Sequence, residues 1–396
     1  MTGVERRSFA LRLSVFFAAL FAGYGVNVPY LPLWLDARGL GATEISLVLA
    51  LPAIVRIATT PALAFLADRH RAHRGMLAGA GGVAALATAM LAMSYGFWPI
   101  LAVAIVTGAA TAALLPLSET VAMRGVRDAN LDYGRMRLWG SVTFVVGSVA
   151  GGFMIGRLGT EAIVWAMAAC ALATLLAAMA LPGAGAADPG VVQRLRVADA
   201  MTLAIWPPFL WFLAAGSAVQ AAHALIYAFG SLHWRVQGVG PGWIGTLWAI
   251  GVVVEIALFA CSNAATRRFG PLRLLTGAAV AALVRWVVMA ADPPLSALVP
   301  LQMLHGLTFG AAHIGAMYFI SRAVSPDQAA TAQAIYATAV GTTMAVMTLL
   351  AGGLYARLGG TAYLAMALLA TAGVVASLRL AATWDGQVFA GRRSAP

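Results

Sequence analysis

Lysine is absent from this 396-residue chain, and charge of either sign is scarce. All 25 basic residues are arginine, the acidic residues number 14, and charged residues make up only 10% of the sequence. Hydrophobic residues account for 61%, which excludes an ordinary soluble enzyme because water cannot be the solvent for most of such a surface. The formal charge of +11 does not indicate nucleic-acid binding, since the arginines form short patches between apolar runs.

Cysteine is also scarce, which bears on metal sites and disulfides. The two cysteines, Cys170 and Cys261, are far apart inside apolar stretches and lack the spacing of a metal site or of a disulfide framework. We therefore expect no metal and no cofactor. An intramembrane enzyme is not favoured either, because the sequence offers no convergent set of nucleophile and base.

Long apolar runs are what the sequence has in abundance. A membrane-spanning helix needs about 20 mostly apolar residues, and twelve segments meet this requirement. The pattern predicts an all-α membrane protein with twelve transmembrane helices in two pseudo-symmetric six-helix bundles. The predicted spans are 10–35, 43–67, 75–95, 98–122, 135–157, 161–181, 206–232, 243–265, 273–291, 296–321, 329–356 and 361–383.

Arginine placement predicts the orientation in the bilayer, because positive charges near helix ends are retained in the cytoplasm. With both termini cytoplasmic, only Arg38, Arg157, Arg235 and Arg357 fall on the opposite face. A connection rich in glycine and proline divides the chain into an N-terminal bundle (1–181), a cytoplasmic linker (182–205) and a C-terminal bundle (206–396). A weak internal repeat relates the two halves, as in carriers whose substrate site lies between two such halves.

Ionisable side chains within the predicted spans need an explanation, because each costs roughly 2.5–3.5 kcal/mol on insertion scales. Arg56 lies mid-way along the second span, and a structural ion pair is the favoured interpretation for it. Glu255 and Arg285 stand on consecutive spans, which suggests a titrating cluster. His223 is equally consistent with a packing role and with a binding role.

Helical spacing predicts which polar groups share a face. In the tenth span Gln302, His305, Phe309 and His313 follow each other at steps of three, four and four residues, which places them on one stripe. The seventh span repeats the arrangement with Gln220, His223 and Tyr227. Polar stripes of this kind should face a water-accessible cavity or each other instead of lipid.

The start of the fifth span carries a motif, LDYGRMRLWGS at 131–141, that closely resembles bacterial 3-phenylpropionic acid transporters of the major facilitator superfamily. Further matches to that family are AAHA at 221–224, VEI at 254–256, VRW at 284–286 and LHG at 304–306. The resemblance implies the twelve-helix carrier fold and a secondary transporter that works as a monomer in the bacterial inner membrane.

The chain is more distantly similar to lactose permease, a sugar–proton symporter. This similarity places Glu119 and Arg137 at the paired sugar-binding positions, and Glu255, Arg285 and His305 at the substrate- and proton-linked cluster. Phe144 stands where the sugar family has a stacking tryptophan, which argues against a galactoside and suits a phenyl ring. Thr308 replaces the glutamate that carries the coupling proton, so Glu255 with His305 or His313 is expected to carry it here.

These observations predict uptake of a small aromatic or related organic acid, driven by the proton gradient. Arg137 is expected to bind the carboxylate while Glu119 holds the guanidinium in place. The predicted substrate-binding residues are Glu119, Arg137, Phe144, Tyr24, Asn27, His223, Tyr227 and Phe309, and the predicted proton-coupling residues are Glu255, Arg285, His305 and His313.

Two alternatives stay open within the same fold. One is a proton-coupled sugar or nucleoside symporter, and the other is proton-driven efflux of a lipophilic compound, since the residues favour neither direction of transport. A membrane sensor is less favoured because no signalling domain is attached and the predicted cytoplasmic loops are short. The expected partners are a small solute, protons and the lipid bilayer.

Overall fold

The computed structural model of the protein describes residues 3–70, 72–129, 131–181 and 197–389, and no β-strand occurs among them. Eleven apolar stretches within these ranges are long enough to cross a membrane. The last, Pro326–Thr383, contains two long helices separated by a short 3₁₀ turn at Gly359–Ala362, so the described part of the chain has twelve membrane-length helices. The predicted all-α fold is confirmed.

The helices follow the predicted spans closely. We number them α1 to α12 and leave unnumbered the short helix Val197–Ala204, which lies in the predicted linker. Their bounds are Gly3–Ala37 (α1), Ala42–His70 (α2), His73–Ala92 (α3), Phe97–Thr111 and Leu114–Ala129 (the two parts of α4), Tyr133–Leu158 (α5), Glu161–Ala180 (α6), Pro207–Ala221 continued to Val236 (α7), Pro241–Ala260 (α8), Ser262–Met289 (α9), Leu295–Met303 continued to Ala323 (α10), Ala329–Leu358 (α11) and Tyr363–Thr383 (α12).

One difference from the prediction lies just before the ninth span. The helix Ser262–Met289 contains a non-helical residue, Gly270, whose φ of 70° is open to glycine without strain, so the part that corresponds to the predicted span of 273–291 begins at Pro271. Pro271 follows directly and cannot supply a backbone hydrogen bond at the kink. The short loop expected before the ninth span is therefore largely helical.

The contacts divide the chain into two compact units. The first comprises Met1–Gly190 with Tyr227–Ala249, and the second comprises Val191–Ile226 with Ile250–Pro396. The predicted boundaries at 181 and 206 stay a prediction, because residues 182–196 of the expected linker lie outside the described residues.

In the first unit, glycines bring α1 and α5 into backbone contact. A Cβ on Gly25 would meet the backbone of Phe144, and a Cβ on Gly147 would meet the carbonyl oxygen of Ala22. The Ser148 hydroxyl donates to the carbonyl oxygen of Gly25 at 3.0 Å. The close packing of α1 against α5 determines the orientation of α1, and with it the positions of Tyr24 and Asn27, two of the predicted substrate contacts.

In the second unit, aromatic rings fill the core where α7, α10 and α11 meet. Phe212 stacks on Phe319 with ring centroids 4.5 Å apart and on Tyr336 with centroids 5.0 Å apart. Phe209 and Phe319 are fully buried. Packing of this kind holds α7 and α10 rigidly, and these two helices carry the histidines of the candidate site.

Candidate functional site

Arg285 of α9 is the centre of a buried polar network in the second unit, and it is only 1% exposed. One terminal nitrogen donates to Oε1 of Gln302 at 2.7 Å. The other donates to Oγ1 of Thr308 at 3.1 Å and lies 3.4 Å from Nδ1 of His305. The guanidinium carbon also lies 4.6 Å from the ring centroid of Trp286. Three of these partners belong to α10, so one neighbouring helix supplies the hydrogen bonds.

The partners of His223 on α7 determine which ring nitrogen carries the proton. Nδ1 lies 3.1 Å from the carbonyl oxygen of Val219 and 3.2 Å from that of Gln220, and a carbonyl can only accept. In the neutral ring Nε2 is then an acceptor, so the Thr308 hydroxyl, 2.9 Å away, donates to it. Thr308 therefore accepts a hydrogen bond from Arg285 and donates one to His223.

His305 connects the guanidinium of Arg285 to the carboxylate of Glu255 on α8. Because Nδ1 of His305 faces a guanidinium nitrogen, which can only donate, Nδ1 is the acceptor and Nε2 carries the hydrogen. Nε2 lies 3.6 Å from Oε2 of Glu255. The two side chains are 11% and 17% exposed, so a carboxylate, an imidazole and a guanidinium stand in series in a largely dry environment.

Glycines allow α8 and α10 to approach closely enough for this contact. A Cβ on Gly251 would lie 3.2 Å from the Cβ of His305, and a Cβ on Gly306 would lie 3.3 Å from the backbone nitrogen of Glu255. A Cβ on Gly310 would lie 3.6 Å from Cγ of Glu255. The sequence thus places small residues where the acid and the imidazole must meet.

Both helices that carry the histidines contain a π-helical turn, at Ile226–Gly230 in α7 and at Gly306–Ala311 in α10. A π turn closes its hydrogen bond one residue later than an α turn, so it rotates the rest of the helix by about 100°. Thr308 lies within the turn of α10 and is fully buried, whereas His313 beyond it is exposed. Sequence reasoning missed both turns.

The structure does not bring His313 into the network. Its nearest aromatic neighbour is Phe259, with ring centroids 6.0 Å apart. Phe309 does join the site, since its ring stacks on His305 with centroids 5.4 Å apart. Tyr227 stacks on Trp248 with centroids 5.9 Å apart.

In the first unit, Glu119 and Arg137 do not form the direct ion pair that was expected. The carboxylate of Glu119 accepts a hydrogen bond from the Tyr133 hydroxyl at 3.2 Å. The guanidinium carbon of Arg137 lies 3.9 Å from the ring centroid of Phe21 and 5.7 Å from that of Phe17, a cation–π arrangement. The Tyr133 hydroxyl also interacts with Arg137, so this hydroxyl and two aromatic rings position the guanidinium in place of a direct ion pair with the acid.

A cavity of about 220 Å³ lies within the first unit, between α1, α2, α3, α4 and α6. Tyr24 and Asn27 of α1 line it, as does Arg56 of α2. Most of the remaining wall is aliphatic. The other six predicted substrate contacts are not among the lining residues: Glu119, Arg137, Phe144, His223, Tyr227 and Phe309. Tyr24 packs edge-on against Phe21, whose ring centroid lies 3.9 Å from the guanidinium carbon of Arg137.

The part of the network that sequence reasoning assigned no role is Thr308, which bonds to Arg285 and His223 at once. A further unassigned feature is the parallel stack of Trp286 on Tyr363, with centroids 5.8 Å apart, which covers one side of the buried charge. A threonine in an apolar helix carries no distinctive sequence signal, because most such hydroxyls bond to the preceding turn of their own helix. Among the described residues, no group of three or more His, Cys, Asp or Glu side chains could hold a metal ion.

Comparison with known proteins agrees with this helical architecture. The profile described as the MFS_1 like family matches residues 10–365. The chain belongs to this family of the major facilitator superfamily. It is 31% identical over 366 residues to the probable 3-phenylpropionic acid transporter of Escherichia coli strain K12, covering 90% of this chain and 94% of that protein. It is 30% identical over 376 residues to the maltose permease of Geobacillus stearothermophilus, covering 93% of each.

Solved structures of major facilitator carriers share the fold. A crystal structure of the nucleoside transporter NupG, determined for a variant, superposes with a TM-score of 0.84 at 18% identity and covers 95% of this chain and 100% of its own. A bacterial homologue of the human lysosomal transporter Spinster, in an inward-facing and occupied conformation, superposes with a TM-score of 0.78 at 13% identity and covers 98% of this chain and 100% of its own. At these identities the likeness shows the fold alone. The family match and the two sequence relatives show that this major facilitator protein is a multi-pass membrane transporter.

Proposed function

We propose that the protein is a proton-coupled secondary transporter that imports a small aromatic carboxylic acid by alternating access. We place it in the cytoplasmic membrane of a bacterium, with both termini in the cytoplasm. The observation that carries the coupling is the series of Glu255, His305 and Arg285, in which a largely buried carboxylate lies 3.6 Å from an imidazole that also contacts a buried guanidinium.

Glu255 is the group that takes up the proton in this mechanism. As a carboxylate it lies 3.6 Å from Nε2 of His305 and offsets part of the Arg285 charge across the imidazole. A protonated carboxyl group offsets that charge less, because the Coulomb attraction is lost in a medium of low dielectric constant. Proton binding and release therefore change the energy of the network, which provides the differential interaction that a conformational change requires.

Three observations support an aromatic acid as the substrate. The relative at 31% identity is named as a probable 3-phenylpropionic acid transporter. Arg56 and Arg137 have no acidic partner within 4 Å among the described residues, so each can attract an anion. Rings stand beside these charges, with Phe21 against Arg137 and Tyr24 in the cavity wall with Arg56. The other substrate contacts in this proposal are Glu119, Asn27, Phe144, His223, Tyr227 and Phe309.

Proton-coupled sugar import is the second candidate, because a maltose permease matches at 30% identity over 93% of the chain. The cavity of the first unit, at about 220 Å³, is small beside the ~300–1,000 Å³ of sites for drug-sized ligands. A single-ring acid suits that volume better than a disaccharide does.

Uptake by whole cells tests the proposed function. Cells that express the protein receive labelled 3-phenylpropionate or labelled maltose, with and without a protonophore. We expect accumulation of the acid that the protonophore abolishes. Accumulation of maltose alone would establish the sugar symporter, and a net loss of preloaded acid that depends on the proton gradient would establish efflux.

The Glu255→Gln variant tests the coupling role separately. We expect it to exchange external for internal acid while no longer accumulating acid against a gradient, because the amide cannot release a proton. Glu44→Gln is the matched control, since Glu44 caps the start of α2 by accepting from the backbone N–H of Gly41 at 2.9 Å. Accumulation by Glu255→Gln that the protonophore still abolishes would contradict the role of Glu255.

A further inference from the structure

Arg56 presents a charge without a partner inside the cavity of the first unit. It lies mid-way along α2, and its guanidinium makes no hydrogen bond or ion pair with any residue that the structure describes. Among the residues that the structure describes, no aspartate or glutamate lines the cavity. Arg56 is exposed, so its guanidinium is accessible to an anion, and a positive charge with no acidic neighbour in the cavity wall attracts one.

The hydroxyl groups around the cavity limit which side chains can donate to such an anion. The threonine hydroxyls donate to carbonyl oxygens of their own helices. Thr88 donates to the carbonyl oxygen of Ala84 at 2.7 Å, and Thr174 donates to that of Cys170 at 2.8 Å. Thr107 and Thr111 of α4 donate in the same way to the preceding turn of α4. The cavity threonines are therefore not available as donors.

The donors that remain lie together on α1 and α2. The Tyr24 hydroxyl has no hydrogen-bond partner among the described residues and interacts electrostatically with Arg56 and, less strongly, with Arg137. The amide nitrogen of Asn27 makes only a long contact, 3.9 Å, to the sulfur of Met167. A planar guanidinium with a phenol and an amide beside it matches the oxygens of one carboxylate group.

The rest of the wall suits the remainder of a small organic acid. Leu20, Leu31, Leu49, Pro52 and Met167 line the cavity and provide an apolar surface. The volume of about 220 Å³ limits the ligand to a compact molecule. A bare inorganic anion would leave this aliphatic surface unused, so the lining favours an anion with a hydrocarbon body.

We propose that this cavity is a binding site for a small monocarboxylate, in which Arg56 holds the carboxylate and the aliphatic wall holds the hydrocarbon part. The inference rests on the proposed function in one respect, because it takes the transported acid as the ligand. It assigns the carboxylate to Arg56 on α2, whereas the guanidinium of Arg137 on α5 lies against Phe21 and Phe17. The residue proposed to bind the carboxylate is thus Arg56, for which the sequence alone favours a structural ion pair.

Calorimetric titration of the purified protein tests this site. The probes are benzoate, phenylacetate and 3-phenylpropionate, with the neutral amide of the last as a reference. We expect at least one acid to bind and the amide not to bind. Arg56→Gln should raise the Kd roughly tenfold to a hundredfold, and Arg56→Lys should raise it less because a point charge keeps the attraction but loses the planar fork.

Two further variants make the test specific. Arg357→Gln removes an exposed arginine at the end of α11 and is expected to bind as the wild type does. Arg137→Gln is expected to raise the Kd less than Arg56→Gln does. Size-exclusion profiles identify any variant that fails to fold, and in that case the comparison of Arg56→Lys with Arg357→Gln decides the outcome.

The outcomes separate this inference from the proposed function. If no acid binds the wild type, or if Arg56→Gln binds as tightly as Arg357→Gln, the cavity site is overturned even when uptake of 3-phenylpropionate by cells is intact. If cells fail to take up 3-phenylpropionate but benzoate or phenylacetate binds through Arg56, the site stands and the proposed transport substrate is overturned.

Discussion

Arg285 and Arg56 are both guanidinium groups on membrane-spanning helices, and their surroundings differ completely. Arg285 is 1% exposed and makes hydrogen bonds to Gln302 and Thr308, with His305 at 3.4 Å. Arg56 borders a cavity and has no such partner among the described residues. The N–H groups of Arg285 donate within the protein, so this guanidinium is suited to responding to the protonation of a neighbouring group. The N–H groups of Arg56 have no such acceptors among the described residues, so this guanidinium is suited to binding a solute.

The largest effect is expected from breaking the paired charge. Arg285→Gln removes the donor that Gln302 and Thr308 accept from, and we expect the rate of acid uptake to fall about a hundredfold or more. Arg285→Lys should recover little of the rate, because one ammonium cannot reproduce the planar fork. Arg273→Lys, at an exposed position of the same helix, is the control. Uptake by Arg285→Lys at the wild-type rate would show that only the charge matters.

A smaller effect is expected from the hydroxyl that links Arg285 to His223. Thr308→Val keeps the shape but leaves the guanidinium and Nε2 of His223 without this partner, so we expect uptake to fall about tenfold and its pH profile to shift. Thr308→Ser should restore both. Thr371→Val is the control, because that hydroxyl bonds only to the carbonyl oxygen of Ala367 in its own helix. An unchanged pH profile in Thr308→Val would contradict the proposed link.

Stability measurements sharpen the comparison through the close contact of α8 and α10. Gly306→Ala places a methyl group against Val254 and the backbone of Glu255, and we expect unfolding to become easier by ~1–3 kcal/mol. Gly353→Ala in α11 meets nothing within 4 Å and should be neutral or stabilising by about 0.5–1 kcal/mol. Thermal unfolding in detergent measures both. Equal midpoints for the two variants would contradict the close approach of these helices.

The smallest effect is expected at His313, which lies outside the network. His313→Asn should change uptake less than about twofold, as surface substitutions usually do, whereas His305→Asn should impair coupling severely. Parallel measurements of protonophore-sensitive uptake give the comparison. A loss in His313→Asn as large as that in His305→Asn would return His313 to the proton path.

The twelve helices could be predicted because apolar length and arginine placement are properties of contiguous sequence. The pairing of Glu255 with His305 could be anticipated from two intramembrane titratable groups, and the structure places them 3.6 Å apart. The stripe of Gln302, His305, Phe309 and His313 could be predicted only in part, because it assumed a constant 100° per residue. The π turn at Gly306–Ala311 breaks that assumption, and tertiary packing rather than local sequence determines where such a turn forms.

The charges of the first unit were harder to predict for a different reason. The expected pair of Glu119 and Arg137 rested on complementary charge. Instead, the carboxylate of Glu119 accepts a hydrogen bond from the Tyr133 hydroxyl, and the guanidinium of Arg137 lies over the ring of Phe21. Aromatic side chains compete for cations in apolar surroundings, and the geometry of that competition depends on how α1 crosses α5. A structural ion pair is the favoured interpretation of Arg56 from sequence, but Arg56 has no ion pair among the described residues.

The position of Arg285 along the chain has a consequence for biogenesis. Its hydrogen-bond partners follow 17 and 23 residues later on α10, the next helix to leave the ribosome. An arginine that enters the bilayer alone costs roughly 2.5–3.5 kcal/mol on insertion scales. We expect α9 and α10 to enter together as a hairpin in which the partners on α10 cover the guanidinium, so that the order of synthesis lowers the barrier to integrating the charged helix.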